Sequence, residues 1–112
     1  RQAMAAHDEK THCYTHLSHV YPQGSSVYST FVYRIGADHD SALARWQSLK
    51  QAVGNAIAAN GGTITHQHGV GKDHAPWFRQ EKGPANLAAI ESVIRTWDAN
   101  GVMAPGNLLG DI

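Results

Sequence analysis

HCYTHLSHVY–PQG–SSVYSTFVYRI, residues 12–35, holds two β-type runs on either side of a Pro/Gly turn signal. In the second run Val27, Phe31, Tyr33 and Ile35 share one face by period-2 alternation, with Ser29 the exception. Tyr28, Thr30, Val32 and Arg34 share the other. The pair predicts an antiparallel hairpin with one face on a core. Downstream, Asp38-His39-Asp40-Ser41 supplies N-cap chemistry for a helix reaching about Asn60. Leu43, Trp46, Leu49, Val53 and Ile57 form its apolar stripe. Asn60-Gly61-Gly62 ends it, because glycine takes the left-handed C′ conformation without a Cβ clash. Thr63-Ile64-Thr65 is a short β-type run, and a second helix is expected from Pro84 to about Asn100. That helix should bury Leu87, Ile90, Val93, Ile94 and Trp97, with Gly101 as its stop. Residues 1–10 read as a frayed helix end or linker, and residues 102–112 as an apolar Pro/Gly tail. Strand, strand, helix, strand, helix is an α+β order, a small antiparallel sheet with helices on one face.

At 112 residues and 12.1 kDa the chain fits one domain. No apolar run is long enough for a transmembrane helix. Lys and Arg number nine against nine Asp and Glu, scattered along the chain, which argues against nucleic-acid binding through a basic patch. One cysteine, Cys13, excludes an intrachain disulfide framework. Charged residues are only 16%, against about 25% in ordinary soluble domains, so part of the surface is expected to face other protein. The chain is expected to be a piece of a longer polypeptide, beginning as it does at Arg1.

Eight histidines are the unusual count. In His66-Gln67-His68-Gly69-Val70-Gly71 an extended backbone points both imidazoles to one side, where they could reach one substrate, and the glycines allow close backbone approach. The plainer alternative is a solvated loop. On the hairpin, His16 and His19 accompany Tyr21 and Tyr28; a strand tyrosine is ordinarily a packing residue, but among histidines it can act as a general acid or base. A zinc site of His16, His19, His66 and His68 is disfavoured, since residues i and i+3 of a regular strand face opposite ways.

Three segments together resemble the C-terminal region of FAD-linked oxidases of the vanillyl-alcohol-oxidase superfamily. They are Val20-Tyr21-Pro22-Gln23-Gly24-Ser25-Ser26-Val27-Tyr28, then Gly61-Gly62 leading through His66-Gln67-His68-Gly69-Val70-Gly71, then Pro105-Gly106-Asn107-Leu108. The alkyldihydroxyacetonephosphate synthase branch matches best. The resemblance implies a ferredoxin-like cap domain spanning residues 1–112, FAD as cofactor, and an N-terminal FAD-binding domain as partner, with the tail of residues 102–112 packing back on it. It implies exchange of acyl for alkyl on dihydroxyacetone phosphate, with an oxidoreductase of a 2-hydroxy acid or alcohol as the alternative.

Carried over residue by residue, Tyr28, His66 and His68 are the catalytic candidates. Gln67, Gly69 and Asn107 are the cofactor contacts, and Arg34 is a candidate for the substrate. Gln67 stands where that branch has the middle histidine of a triplet. No metal is expected, because Tyr28 and Gln67 occupy positions where the metal-dependent 2-hydroxy-acid dehydrogenases carry His and Glu. The expected substrate is a small molecule, including a lipid. A homodimer, a peripheral membrane contact and a cytoplasmic or membrane-associated location complete the expectations. The isolated chain should hold no flavin tightly, should be inactive and should self-associate.

Overall fold

The computed structural model describes residues 11–110, so the expectations for residues 1–10 and for the last two residues of the tail lie outside it. Its elements are β1 (His12–Tyr21), β2 (Gly24–Val32), α1 (His39–Ala59) and α2 (Ala75–Trp97), an α+β content. The chain falls into two compact units that divide between Val53 and Gly54.

In the first unit β1 and β2 pair antiparallel about a tight turn at Pro22-Gln23, with Tyr21 opposite Gly24. His16 pairs with Tyr28 and Leu17 with Val27, but the next pair is His19 with Ser26. Ser18 is therefore a bulge, one extra residue that returns His19 to the face of His16. The expectation that these two histidines point apart is overturned by that single insertion. Thr15 and Ser29, cross-strand partners, share a hydroxyl hydrogen bond of 2.9 Å on the opposite face. Leu17, Val20 and Val27 are 62%, 75% and 63% exposed, so the described residues bury neither face of the hairpin. β2 stops at Val32, which places Tyr33, Arg34 and Ile35 outside the strand alternation that grouped them with it.

Asp38 opens α1 as foreseen. Its carboxylate accepts from the Ser41 N–H at 2.8 Å, while its own N–H donates to Ser41 Oγ at 3.3 Å, a reciprocal cap. At the other end Gly61 donates to the Ala58 carbonyl and Gly62 to that of Ile57, with Gly61 at φ 70°. This is the paired closure that a left-handed C′ glycine permits. Of the stripe, Leu49, Val53 and Ile57 are half-buried, whereas Leu43 and Trp46 remain 43% and 39% exposed.

The second unit departs further from the sequence reading. Thr63-Ile64-Thr65 forms no strand, because Glu81 captures the Thr63 hydroxyl and the Ile64 N–H. A helix does resume at Pro84, but another helical stretch, residues 75–82, precedes it, and Gly83 at φ 72° and ψ 169° breaks the two apart. Proline suits a first helical turn, where its missing N–H has no intrahelical partner. α2 ends at Trp97, short of Asn100, with Asp98 as its cap. Leu87, Ile90 and Ile94 are half-buried, but Val93 and Trp97 are 60% and 82% exposed rather than buried. Wholly buried apolar side chains are few among the described residues: Ala75 and Leu109.

Gly54, in mid-helix, has a packing reason. A Cβ built there would stand 2.4 Å from the Trp77 indole, whose Nε1–H donates to Asn55 Oδ1 at 2.9 Å. The rigid ring lies against bare backbone and its hydrogen bond keeps it there. Gly54→Ala gains about 1 kcal/mol of helix propensity but overpacks this contact by about 1–3 kcal/mol. The expected outcome is a lower Tm, partly restored when Trp77→Leu is added. A raised Tm in the single variant would show that the indole moves freely.

Candidate functional site

The carried-over candidates divide between the units: Tyr28 and Arg34 belong to the first, and Gln67, His66, His68, Gly69 and Asn107 to the second. On the hairpin, Tyr28 lies directly across from His16, ring centroids 5.2 Å apart and planes tilted by 31°. The bulge sets His19 on the same face. Along β1, His12 stacks on Tyr14 at 6.3 Å and His19 on Tyr21 at 6.2 Å. The result is one hairpin face of alternating imidazoles and phenols, accessible to a ligand; Tyr28 is 49% exposed. Arg34 lies beyond β2, and its carbonyl accepts from the Arg45 guanidinium at 3.3 Å.

The loop of residues 66–71 is not extended, which corrects the argument that placed both imidazoles on one side. The His68 N–H donates to the His66 carbonyl at 2.7 Å, a tight turn about Gln67. Gln67 sits at φ 55°, a left-handed conformation that costs a non-glycine residue about 1–3 kcal/mol. Such a turn persists only when its surroundings hold it. They do so here at several points. Thr65 Oγ1 donates to the Gly69 carbonyl at 2.9 Å, and the Val70 carbonyl accepts from both the backbone N–H and Nδ1 of His74. That second bond requires the proton on Nδ1 of His74. Gly69 and Gly71 lie at φ 79° and 58°, and among the described residues no atom beyond their own chain neighbours lies within 4 Å of where a Cβ would stand. Glycine is needed by the backbone, and open space lies beside it.

The tail meets this loop within the same unit. Ala104-Pro105-Gly106-Asn107 is a turn closed by the Asn107 N–H on the Ala104 carbonyl at 3.1 Å, with Gly106 at φ 69°. Leu108, at φ 67°, centres a second tight turn in which the Leu109 N–H donates to the Asn107 carbonyl at 2.8 Å. The Leu108 N–H donates to the Gly71 carbonyl at 3.0 Å, joining tail to loop. Leu109 is 1% exposed, and its carbonyl accepts from Arg79 Nη1 at 2.8 Å.

The sequence reading missed three polar holds: Glu81, Arg79 and Asp98. The only cue to Asp98 was an acid directly after a helix. Its carboxylate accepts from the N–H groups of Val102, Met103 and Ala104 at 2.8, 2.9 and 3.3 Å. Desolvation pushes its pKa up, but the three N–H donors outweigh it and hold the group below its ordinary value. Glu81 behaves likewise: desolvation raises it, and bonds from Thr63, Lys82 and the Ile64 N–H, with the Lys82 charge, bring it below the usual range. Among the described residues, no three His, Cys, Asp or Glu gather in a metal-ligating group, and no helix is long and apolar enough to cross a membrane.

Residues 1–108 match the family model of FAD linked oxidases, C-terminal domain. Over 108 residues the chain is 28% identical to the alkyldihydroxyacetonephosphate synthase of Trypanosoma brucei brucei, covering 96% of this chain and 17% of that protein. It is 27% identical over 97 residues to the protein of the same name from Dictyostelium discoideum, 87% of this chain and 16% of that one. An uncharacterized FAD-linked oxidoreductase of Escherichia coli (strain K12) is 27% identical over 95 residues, 83% of this chain and 19% of its own length. The chain thus spans under a fifth of the relatives it matches. No solved structure matches it significantly.

The matched residues include the tail turn, whose hold is open to titration. A carboxylate with a lowered pKa stabilises its contacts above its unfolded value and loses them as pH falls through the folded one. Hydrogen exchange at the Val102 and Met103 amides should stay slow near pH 5 and accelerate beyond the intrinsic trend below the ordinary value of 3.8. Asp98→Asn should remove that pH dependence. Persistence of the transition in the variant would assign it to another group.

Proposed function

The chain belongs to the C-terminal domain family of FAD-linked oxidases, and from that premise we propose that it covers the flavin and substrate of an enzyme exchanging acyl for alkyl on dihydroxyacetone phosphate. In that exchange the acyl chain leaves as a carboxylate, a long-chain alcohol enters, and an ether bond forms with no net redox change. The observation that carries the reading is the placement of Tyr28: on an accessible hairpin face, across from His16, with no hydrogen bond from its hydroxyl to another described residue. A phenol so placed is available to give or take a proton at a substrate oxygen. The two relatives named as synthases support the substrate class.

The cofactor is FAD, and the residues present fit it. Gly69 and Gly71 present bare backbone to open space, which suits the approach of a flat, bulky ring. When bound, FAD would supply the electron-pair chemistry at the substrate carbon that no side chain of this chain offers. Its own residues have proton and binding work. Tyr28 is the candidate for moving a proton at a substrate oxygen, and His66 and His68 are each candidates for the same kind of work. The Gln67 amide can hold a hydrogen bond but cannot shuttle a proton, and the Asn107 amide offers the same binding chemistry. Arg34 is the candidate for the substrate phosphate, a role suited to a permanent cation.

The partner is an FAD-binding domain of the same polypeptide. Exposed Val20, Val27, Val102 and Met103 support it, since apolar side chains 75%, 63%, 74% and 81% exposed gain from burial against another surface. A second copy and a membrane surface come after that domain in this proposal.

The Escherichia coli relative, named an oxidoreductase, favours a second reading: oxidation of a 2-hydroxy acid or an alcohol. Spectroscopy separates the two. An oxidoreductase bleaches its flavin with a hydroxy acid in the absence of an electron acceptor, whereas acyl-dihydroxyacetone phosphate plus alcohol should be turned over with no acceptor consumed. A full-length protein that purifies colourless would remove both.

Tyr28→Phe in the full-length enzyme tests the assignment directly. Phenylalanine keeps the ring against His16 and deletes the hydroxyl. Turnover per bound flavin should fall about 10²–10⁴-fold, about 3–5 kcal/mol of barrier, with Tm and flavin content unchanged. Normal turnover with a lowered Tm would return Tyr28 to a packing role.

A further inference from the structure

We propose that Glu81 is the positioning residue of the histidine loop, its carboxylate fixing the backbone entry from which His66 and His68 are presented; this rests on the reading that the loop serves the active site. Glu81 grips two consecutive residues with separate oxygens. Oε1 accepts from the Thr63 hydroxyl at 2.7 Å and Oε2 from the Ile64 N–H at 3.1 Å. Those residues lie just before His66, whose carbonyl accepts the bond that closes the turn at Gln67. The carboxylate grips the loop's entry as an ionised group, and charge-assisted bonds are roughly twice as strong as neutral ones.

The geometry explains why a clamp is needed at that point. Gln67 is held left-handed, so a loop free at its entry would relax toward an ordinary conformation and swing both imidazoles. The exit is already fastened, at Val70 by His74 and at Gly71 by the Leu108 N–H. At the entry Glu81 holds Thr63 and Ile64, and Thr65 Oγ1 ties the next residue to the Gly69 carbonyl. The side chain is itself well placed to hold still. It is 26% exposed, lies in the last turn before the break at Gly83, and accepts from Lys82 Nζ at 3.0 Å. Lys82 in turn rests over the Phe78 ring at 5.3 Å, one turn back.

The chemistry at 81 favours an anion. A glutamine can accept from the Ile64 N–H and donate to the Thr63 hydroxyl oxygen, but both bonds then lose the charge that strengthens them, so Glu81→Gln weakens the grip. Misplacing a reacting group by about 1 Å can cost about 10²-fold in rate. The experiment uses the full-length flavin-loaded protein and reads hydrogen exchange, flavin absorption and kinetics in Glu81→Gln. Expected are exchange at the Ile64 and His68 amides about tenfold faster or more, and kcat per flavin lower by about 10–100-fold, with KM and flavin content within about twofold. Unchanged exchange would overturn the clamp. Faster exchange with unchanged kcat would overturn its positioning role. If the wild type exchanges no acyl group, the proposed function has failed, and Glu81 is judged on exchange together with the flavin absorption spectrum; a spectrum identical to wild type refutes the role. Should Glu81→Gln not accumulate as folded protein, Thr63→Val removes one donor while keeping the carboxylate, and the same expectations and refutations apply to it.

Discussion

Leu109 is the largest side chain wholly buried among the described residues, so position in this chain is held by polar contacts far more than by packing. Burying one leucine contributes about 1.5–3 kcal/mol, while ordering each backbone residue costs about 1–2 kcal/mol. A chain with so little interior needs other restraints. In the second unit they are carboxylates and backbone donors: Asp98 gathers three N–H groups of the tail, Glu81 grips the loop entry, and Arg79 holds the Leu109 carbonyl. Each is a charged group on a backbone or hydroxyl partner, the stronger kind of hydrogen bond. The exposed apolar residues are the complement of that arrangement, surface that awaits a neighbour.

The break at Gly83 gives those restraints their layout. Residues 75–82 carry Trp77, Arg79 and Glu81, which reach Asn55, the tail carbonyl and the loop entry. A helix continuing unbroken would carry the same side chains, but Pro84 at the following position would lose the carbonyl four residues back as a partner. Gly83 resolves that conflict by taking φ 72°, which only glycine adopts cheaply, and the Arg79–Glu91 ion pair of 3.8 Å then spans the break. The short helical stretch thus serves as a platform for both the loop and the tail.

Local rules made much of this legible. The turn at Pro22-Gln23, the Asp38 cap and the Gly61-Gly62 closure each follow from one residue's backbone preference, and all three stand in the structure. Tyr28 was found through resemblance and lies where a strand alternation puts it. What failed were inferences that assumed regular geometry over several residues. Thr63-Ile64-Thr65 has strand propensity, but a carboxylate 17 and 18 residues away took its donors. His66 and His68 alternate in sequence, but a left-handed Gln67 between them removes the extended backbone that gives alternation its meaning. Val93 and Trp97 follow the helical period yet face outward, because periodicity marks a face and does not say what covers it.

Ser18 shows how much a single residue can decide. In a regular ladder His19 would lie with Leu17 and away from Tyr28, and the hairpin would divide its imidazoles between two faces. Inserting one residue opposite Ser26 turns the remainder of β1 over, so His16, His19 and Tyr28 come to one side. The Ser18 hydroxyl donates to Ser26 Oγ at 3.0 Å and lies 3.2 Å from His19 Nδ1, which ties the bulge to the residue it redirects. The Ser25 hydroxyl closes on the His19 carbonyl at 2.7 Å. Three serines therefore stabilise the one irregularity that collects the imidazole and phenol groups on a common face. A bulge weakens a ladder by leaving a residue unpaired, and a two-stranded hairpin has little stability to spare. The hairpin thus gives up one ladder pair and in exchange carries His16, His19 and Tyr28 on a single face.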